Sequence, residues 1–382
     1  MKKGLLFILI LLILIPAVWA LIYKFEGTAP VADIQLPSKY LRKSYEMSVR
    51  VSDEKTGLRH IMVSIMQQGK EKVLLDKTYE GGGFPGIFGQ DAKHADSFII
   101  PVESWKYGMA DGEALIRVKV SDRSWRKLNK GNLFYSEEKV IIDSKPPRVK
   151  VLTNRHNIER GGSGLVIYQL FEPGIKSGIS VGENFFPGHP GLFEDPMIHC
   201  AFFALDHTQG RGTQIRVSAV DPAGNETTKG FHTYIREKKF KTDTLRIPDS
   251  FLENKIPGFE IGETQDQFAG AKNPLLDRYV YINNSIRKAN VDKILAVEAA
   301  TDNKKYWQGR FLRMRGSQRR AGFADRRIYM YKGKEIDRAI HLGIDLASTR
   351  NASVEAANTG RVIFTGDIGI FGNTVIIDHG FG

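Results

Sequence analysis

At 382 residues, with 42% hydrophobic and 26% charged residues, the chain has the make-up of two to four folded domains and argues against large disordered regions. The formal net charge of +12 attracts polyanions: nucleic acid, an acidic membrane surface or an anionic cell wall. A single cysteine, Cys200, excludes any intramolecular disulfide, and its apolar surroundings (Ala201, Phe202, Phe203) mark it as a buried, inert thiol.

Lys2 and Lys3 precede an uncharged apolar run from Gly4 to Tyr23, closed by Lys24. Such a run is long enough to span a bilayer as a helix. The leading lysines favour a cytoplasmic N-terminus with the remainder outside. Val18-Trp19-Ala20 also offers a cleavage site, which would make residues 1–24 a signal peptide, but the length of the run favours an uncleaved anchor. The expected location is therefore a single-pass protein of the cytoplasmic membrane. The bulk of the chain would lie in the periplasm or extracellular space, where nucleic acid is a poor candidate partner.

From about Thr28 the pattern turns to alternating strands. Tyr45, Met47, Val49 and Val51 alternate with polar residues, as do Ile116, Val118 and Val120, a period of two that marks half-buried strands. The motif then repeats. Ala29-Pro30-Val31 is echoed by Lys145-Pro146-Pro147, and Ile116–Asp122 by Ile215–Asp221. A spacing of about a hundred residues suits two β-sandwiches in tandem, over residues 28–144 and 146–236. The ending Asp221-Pro222-Ala223-Gly224-Asn225 resembles the F–G turn of bacterial immunoglobulin-like modules; the first unit has Ser124-Trp125-Arg126-Lys127 in its place. Gly81–Gly86 lacks a following helix and a Lys-Ser/Thr signature, so it reads as a mobile loop rather than a phosphate cradle. His189, His199 and His207 stand at no metal-ligand spacing.

Residues 240–324 read as a linker, a short helical insert and a basic segment. Arg236–Lys241 is the linker, and Pro248-Asp249-Ser250 starts a helix capped by Asp or Ser. Between Asn273 and Ala300 the apolar residues fall at helical spacing, divided into two helices at Asn283-Asn284-Ser285 and Asn290. From Lys304 to Arg327 nine basic residues face one acid, Asp325. The plain reading is a solvated strand face anchored by Trp307 and Phe311. The sharper one is a basic rim that draws in carboxylates.

Near the C-terminus, Leu342, Ile344 and Leu346 alternate with His341, Gly343 and Asp345, the pattern of one half-buried strand with a polar face. Four extended residues span about 13 Å. A His and an Asp reaching for a common ion cover roughly 11 Å with bonds of about 2 Å, so a slight bend at Gly343 lets both hold one metal. Spacing permits this without requiring it.

The tail that follows, Val354–Phe364 and Gly372–Gly380, together with Arg327–Lys334 upstream, resembles the first half of the lysostaphin/LytM-type zinc metallopeptidases over about residues 325–382. The resemblance implies an antiparallel β fold and a zinc ion held by the His and Asp of an H-x-x-x-D motif plus the second His of a later H-x-H. Carried over, the metal ligands are His341 and Asp345. No H-x-H occurs in the chain, and His379 falls in the family's Asp-His-Gly turn. Either the sequence is a fragment of a longer protein, which is the favoured reading and puts the third ligand and the catalytic residues beyond Gly382, or the domain is degenerate and does not cut. The implied fold class is mainly β: two immunoglobulin-like sandwiches, a helical insert and the first half of an antiparallel β metallopeptidase domain. The implied function is a zinc metalloendopeptidase acting on peptidoglycan cross-links, inactive in this form. Two alternatives remain: a non-catalytic wall-binding protein or activator of another wall hydrolase, and an adhesive protein in which His341 and Asp345 are incidental.

Overall fold

The computed structural model describes residues 2–81, 92–259, 261, 267, 268, 270–298 and 300–382. All but the first residue of the glycine-rich stretch Gly81–Gly86 lies outside them. The chain divides into two compact units, Met1–Pro146 with Asp221–Asn225, and Pro147–Val220 with Glu226–Gly382.

The first unit opens with helix α1 (Lys2–Lys24), which contains Pro16. Among the described residues, no helix is long and apolar enough to cross a membrane. This overturns the single-pass membrane location read from the sequence. The last turn of α1 is built into the sandwich that follows it: the Lys24 carbonyl accepts the N–H of Trp125 at 2.7 Å and the hydroxyl of Ser124 at 3.2 Å, and the Tyr23 hydroxyl donates to the Lys55 carbonyl.

Two sheets follow. One orders β1 (Val31–Gln35), β3 (Tyr45–Ser52) and β6 (Ala95–Val102) as 1-3-6. The other orders β2 (Tyr40–Leu41), β4 (Leu58–Gln67), β5 (Lys70–Thr78), β7 (Gly112–Asp122) and β8 (Leu133–Ile142) as 2-8-7-4-5. The alternation read from the sequence is what packs them. Met47, Val49 and Val51 of β3 meet Ile61, Val63 and Ile65 of β4 and Ile116, Val118 and Val120 of β7 in one core, every one of them buried. β4 and β7 run antiparallel with Val63 opposite Val118.

The second unit begins with another sandwich. Its sheets are β9 (Val149–Val151), β11 (Ser163–Leu170) and β14 (Ile198–Ala204) in the order 14-11-9, and β12 (Lys176–Val181), β13 (Asn184–Pro187), β15 (Ile215–Val220) and β16 (Glu226–Gly230) in the order 13-12-15-16. β10 (His156–Glu159) pairs parallel with β17 (Thr233–Arg236). Val166, Tyr168, Phe203, Val217 and Ala219 fill the core. Cys200 of β14 is also fully buried, and burial pushes its thiol up to about 11.

The helical insert consists of α2 (Asp249–Lys255), α3 (Pro274–Tyr281) and α4 (Arg287–Glu298). Two details differ from the sequence reading. Pro248, without a side-chain bond, holds the cap position of α2; Asp249 instead accepts hydrogen bonds from Tyr331 at 2.7 Å and Lys332 at 3.2 Å. The asparagines do not break the second helix, because a π turn at Ile282–Ile286 carries α3 into α4. Asn283 and Asn290 are buried and spend their side chains on Asp337 and the Ile370 N–H, so they do not compete with the helix backbone. Leu252, Ile256, Tyr279 and Ile282 pack on Tyr329 of the strands that follow.

Those strands are β18 (Thr242–Arg246), β20 (Asp325–Tyr331) and β21 (Lys334–His341) in one sheet, β19 (Gln318–Ala321) with β22 (Asp345–Ala347), and β23 (Arg361–Asp367) with β24 (Asn373–Asp378). The chain is thus mainly β, with a short helical insert between the second sandwich and a C-terminal β segment.

Candidate metal centre

The stretch His341–Ser348 is not the single half-buried strand that its alternation suggests. β21 ends at His341, which pairs with Asp325 of β20, whereas Asp345 opens β22 and pairs with Ala321 of β19. The link between them leaves Leu342 and Ile344 about three-fifths exposed. His341 and Asp345 thus sit at adjoining ends of two different ladders, and the change of ladder, more than a bend within one strand, brings them together.

Their geometry is specific. The His341 Nδ1 lies 2.8 Å from the Gly322 carbonyl oxygen, which only accepts, so Nδ1 carries a proton and donates it. Nε2 then faces Asp345 Oδ1 at 3.0 Å. A lone pair on Nε2 cannot rest against a carboxylate oxygen. Either a second proton or a cation must lie between them. Two ligands of a tetrahedral zinc ion with bonds of about 2.0–2.1 Å stand about 3.3 Å apart, so a shift of a few tenths of an ångström admits one. The fixed tautomer is the one a metal-binding imidazole needs, with its other nitrogen held by a carbonyl. The His341 side chain is 12% exposed and that of Asp345 53%.

Arg327 of β20 completes the cluster, donating to Asp345 Oδ2 at 3.0 Å. It sits within the basic segment singled out by composition, but nothing in the sequence tied it to Asp345; the β20–β21 register does. Likewise Gly322, the residue that follows β19, gave no signal of its own. Among the described residues no third His, Cys, Asp or Glu joins His341 and Asp345 at ligand distance. His379 follows β24, with Nδ1 2.9 Å from the Thr359 carbonyl and its ring against Phe311, and lines an apolar cavity of about 470 Å³ with Trp307 and Phe381. The basic residues Lys304, Lys305, Arg310, Arg313, Arg315, Arg319 and Arg320 are all exposed, though only Arg319 and Arg320 among them lie in a strand.

Residues 339–382 match the family model for Peptidase family M23. This segment, which holds His341 and Asp345, is therefore related to a peptidase family. No curated protein matches the chain. Solved structures similar to it include an ICAM-5 D1–D4 ectodomain fragment (13% identity, 54% of each chain covered, TM-score 0.25). A second is the Bacteroides ovatus mixed-linkage glucan utilization locus protein SGBP-B in complex with a mixed-linkage heptasaccharide (14% identity, 58% of this chain and 51% of that one, TM-score 0.17). A third is murine CEACAM1b (9% identity, 53% of this chain and all of that one, TM-score 0.24). The chain spans about half the length of the first two.

Proposed function

We propose that the M23-like segment supplies two ligands, His341 Nε2 and an Asp345 oxygen, to the zinc centre of an endopeptidase that cleaves the peptide cross-links of peptidoglycan. The observation that carries this reading is the pinned imidazole: Nδ1 on the Gly322 carbonyl, Nε2 turned to Asp345 at 3.0 Å, within residues 339–382. Zinc, when bound, polarises a carbonyl and lowers the pKa of its water to about 7. The chain's own residues orient the site. Gly322 fixes the tautomer, Arg327 neutralises the carboxylate and competes with a metal for it, and the exposed basic segment favours the carboxylates of wall peptides. The sandwiches act as a spacer or docking arm.

A second reading is a non-catalytic wall-binding protein or activator of another hydrolase, for which the exposed Lys304, Lys305, Arg310, Arg313 and Arg315 offer a surface that attracts an anionic wall. The experiment is a zinc titration of the protein and its His341→Ala variant beside incubation of both with purified peptidoglycan. Zinc affinity at least about tenfold weaker in the variant supports a metal role, since loss of a direct ligand costs no less than loss of its supporting partner. New peptide termini then indicate the peptidase, and wall binding without them the second reading. Equal zinc content in the two proteins removes both roles for His341.

A further inference from the structure

The first unit contains a second constellation of acids, unrelated to the M23-like segment. Glu26, just after α1, Asp53, just after β3, and Asp122, the last residue of β7, are each no more than 4% exposed. One carboxylate oxygen from each lies within 4.8 Å of the others.

Part of this cluster is structural. Asp122 Oδ1 accepts the N–H groups of Ser124 at 3.0 Å and Asn132 at 2.7 Å, and its Oδ2 accepts the Asn132 side-chain amide at 2.7 Å. The second repeat carries the same device in smaller form: Asp221 accepts the backbone and side-chain N–H groups of Asn225 at 2.9 and 3.0 Å. In both, the asparagine also donates to a carbonyl from the segment leading into its repeat, Glu26 in the first and Asp143 in the second. Closing this turn therefore needs an Asp and an Asn. It does not need Glu26 or Asp53.

What sets the first turn apart is an excess of buried negative oxygen. Glu26 Oε1 accepts the Thr56 N–H at 2.8 Å, while Oε2 is buried without any hydrogen-bond partner. Leaving a buried carboxylate oxygen unpaired is costly. Asp53 accepts from the Gly57 N–H at 2.6 Å, where Gly57 has the left-handed φ of 83° that a side chain would strain. Burial, and then Glu26 and Asp122, hold the Asp53 carboxyl above its usual range. The nearby arginines are engaged elsewhere. Arg123 donates to the carbonyls of Leu58 and Tyr79, and Arg59 to Asn129. Among the described residues Lys24, two residues before Glu26 and likewise buried, is a further cation at this turn. One lysine does not balance three carboxylates.

We propose that Glu26, Asp53 and Asp122 form a calcium site that ties the end of α1 to two turns of the first sandwich. All donors are oxygen, which selects a hard cation, and calcium, which accepts six to eight oxygens in flexible geometry, suits this irregular set of carboxylates better than magnesium with its strict octahedron. The ion occupies the space faced by Glu26 Oε2 and fastens the junction at which helix becomes sandwich.

The test is calorimetry and thermal unfolding of the full chain, stripped with chelator and titrated with calcium and, separately, with magnesium. One calcium per chain, a rise in melting temperature, and at least tenfold weaker magnesium are expected. Glu26→Gln keeps the shape and the Thr56 contact but should weaken calcium at least tenfold, while His341→Ala should leave it unchanged. No heat and no shift at millimolar calcium in the parent protein, or equal affinity in Glu26→Gln, overturns the proposal and leaves Lys24 as the counter-ion. Should Glu26→Gln not fold, terbium read through Tyr23 decides the matter, because the Tyr23 hydroxyl donates to the carbonyl of Lys55, two residues from Asp53. Calcium-displaceable emission that falls in Tyr23→Phe supports the site, and emission unaffected by that change overturns it.

Discussion

Among the described residues, the pair His341–Asp345 and the trio Glu26, Asp53 and Asp122 each gather carboxylate oxygen at short range, and they solve the problem of charge in opposite ways. His341 and Asp345 lie near the surface, with the carboxylate half exposed and balanced by Arg327 from the neighbouring strand. Glu26, Asp53 and Asp122 are buried, where water cannot screen them and a fixed partner must. The shallow pair is therefore cheap to keep and easy to disturb without harm to the fold, whereas the deep trio is part of the fold.

Replacing one aspartate in each place sharpens that contrast most. Asp122→Ala strands the buried N–H groups of Ser124 and Asn132 and the Asn132 amide. At about 1–3 kcal/mol for each of the three orphaned groups, the first unit should lose roughly 3–9 kcal/mol in chemical unfolding. Asp345→Ala removes a surface ion pair and should cost at most about 1 kcal/mol. A similar cost for both would mean that depth does not separate the two groups.

The next effect is smaller and concerns the shallow pair alone. Arg327 places a positive charge against the carboxylate that a zinc ion would share. Arg327→Gln should therefore tighten zinc binding by about five-fold, the worth of about 1 kcal/mol of repulsion at a solvated surface. Zinc calorimetry reads it directly. Weaker binding in the variant would show instead that Arg327 serves the metal by holding Asp345 in place.

The sequence revealed the sandwiches well because their cores follow a strict period of two: Met47, Val49 and Val51 alternate in the chain and are buried in the structure. It read His341 and Asp345 as partners from spacing and family likeness, and the structure does bring them together. Their surroundings were not legible. Arg327 and Gly322 reach the pair through strand register, which depends on how β20 pairs with β21, not on any local pattern. His341–Ser348 misled because alternation cannot reveal that a chain leaves one ladder for another midway. The acids of the first unit stand far apart in sequence, at positions 26, 53 and 122, and look there like ordinary solvated charges. Only their burial sets them apart. α1 shows the converse limit: its composition reads as lipid-facing, but its last turn is bound to Ser124 and Trp125.

The smallest effect, and the most direct probe of how the deep trio is balanced, is a slope in stability with pH. The Asp53 carboxyl is raised in the folded chain, first by burial and then by Glu26 and Asp122, and Asp143 is raised in the same direction by burial. As pH falls from neutral, the folded protein takes up these protons before the unfolded chain does. With more protons bound to the native state, the first unit should gain stability on mild acidification, until the unfolded carboxyls titrate near about 4. Asp96 works the other way but lower down. Lysines 93 and 77 and Tyr79 outweigh its burial and lower it to about 2, so its contribution is lost only below the unfolded value. In chelator, then, melting temperature should rise by a small amount, worth about 1 kcal/mol or less, between neutral pH and about 5. Calcium should raise the neutral end and flatten the slope, because an ion that holds Asp53 in its charged form removes the reason to protonate it. Asp53→Asn should diminish the slope without calcium. A chelated protein with no slope at all would mean that the three carboxylates are already neutralised from within, and the two groups would then differ in depth alone.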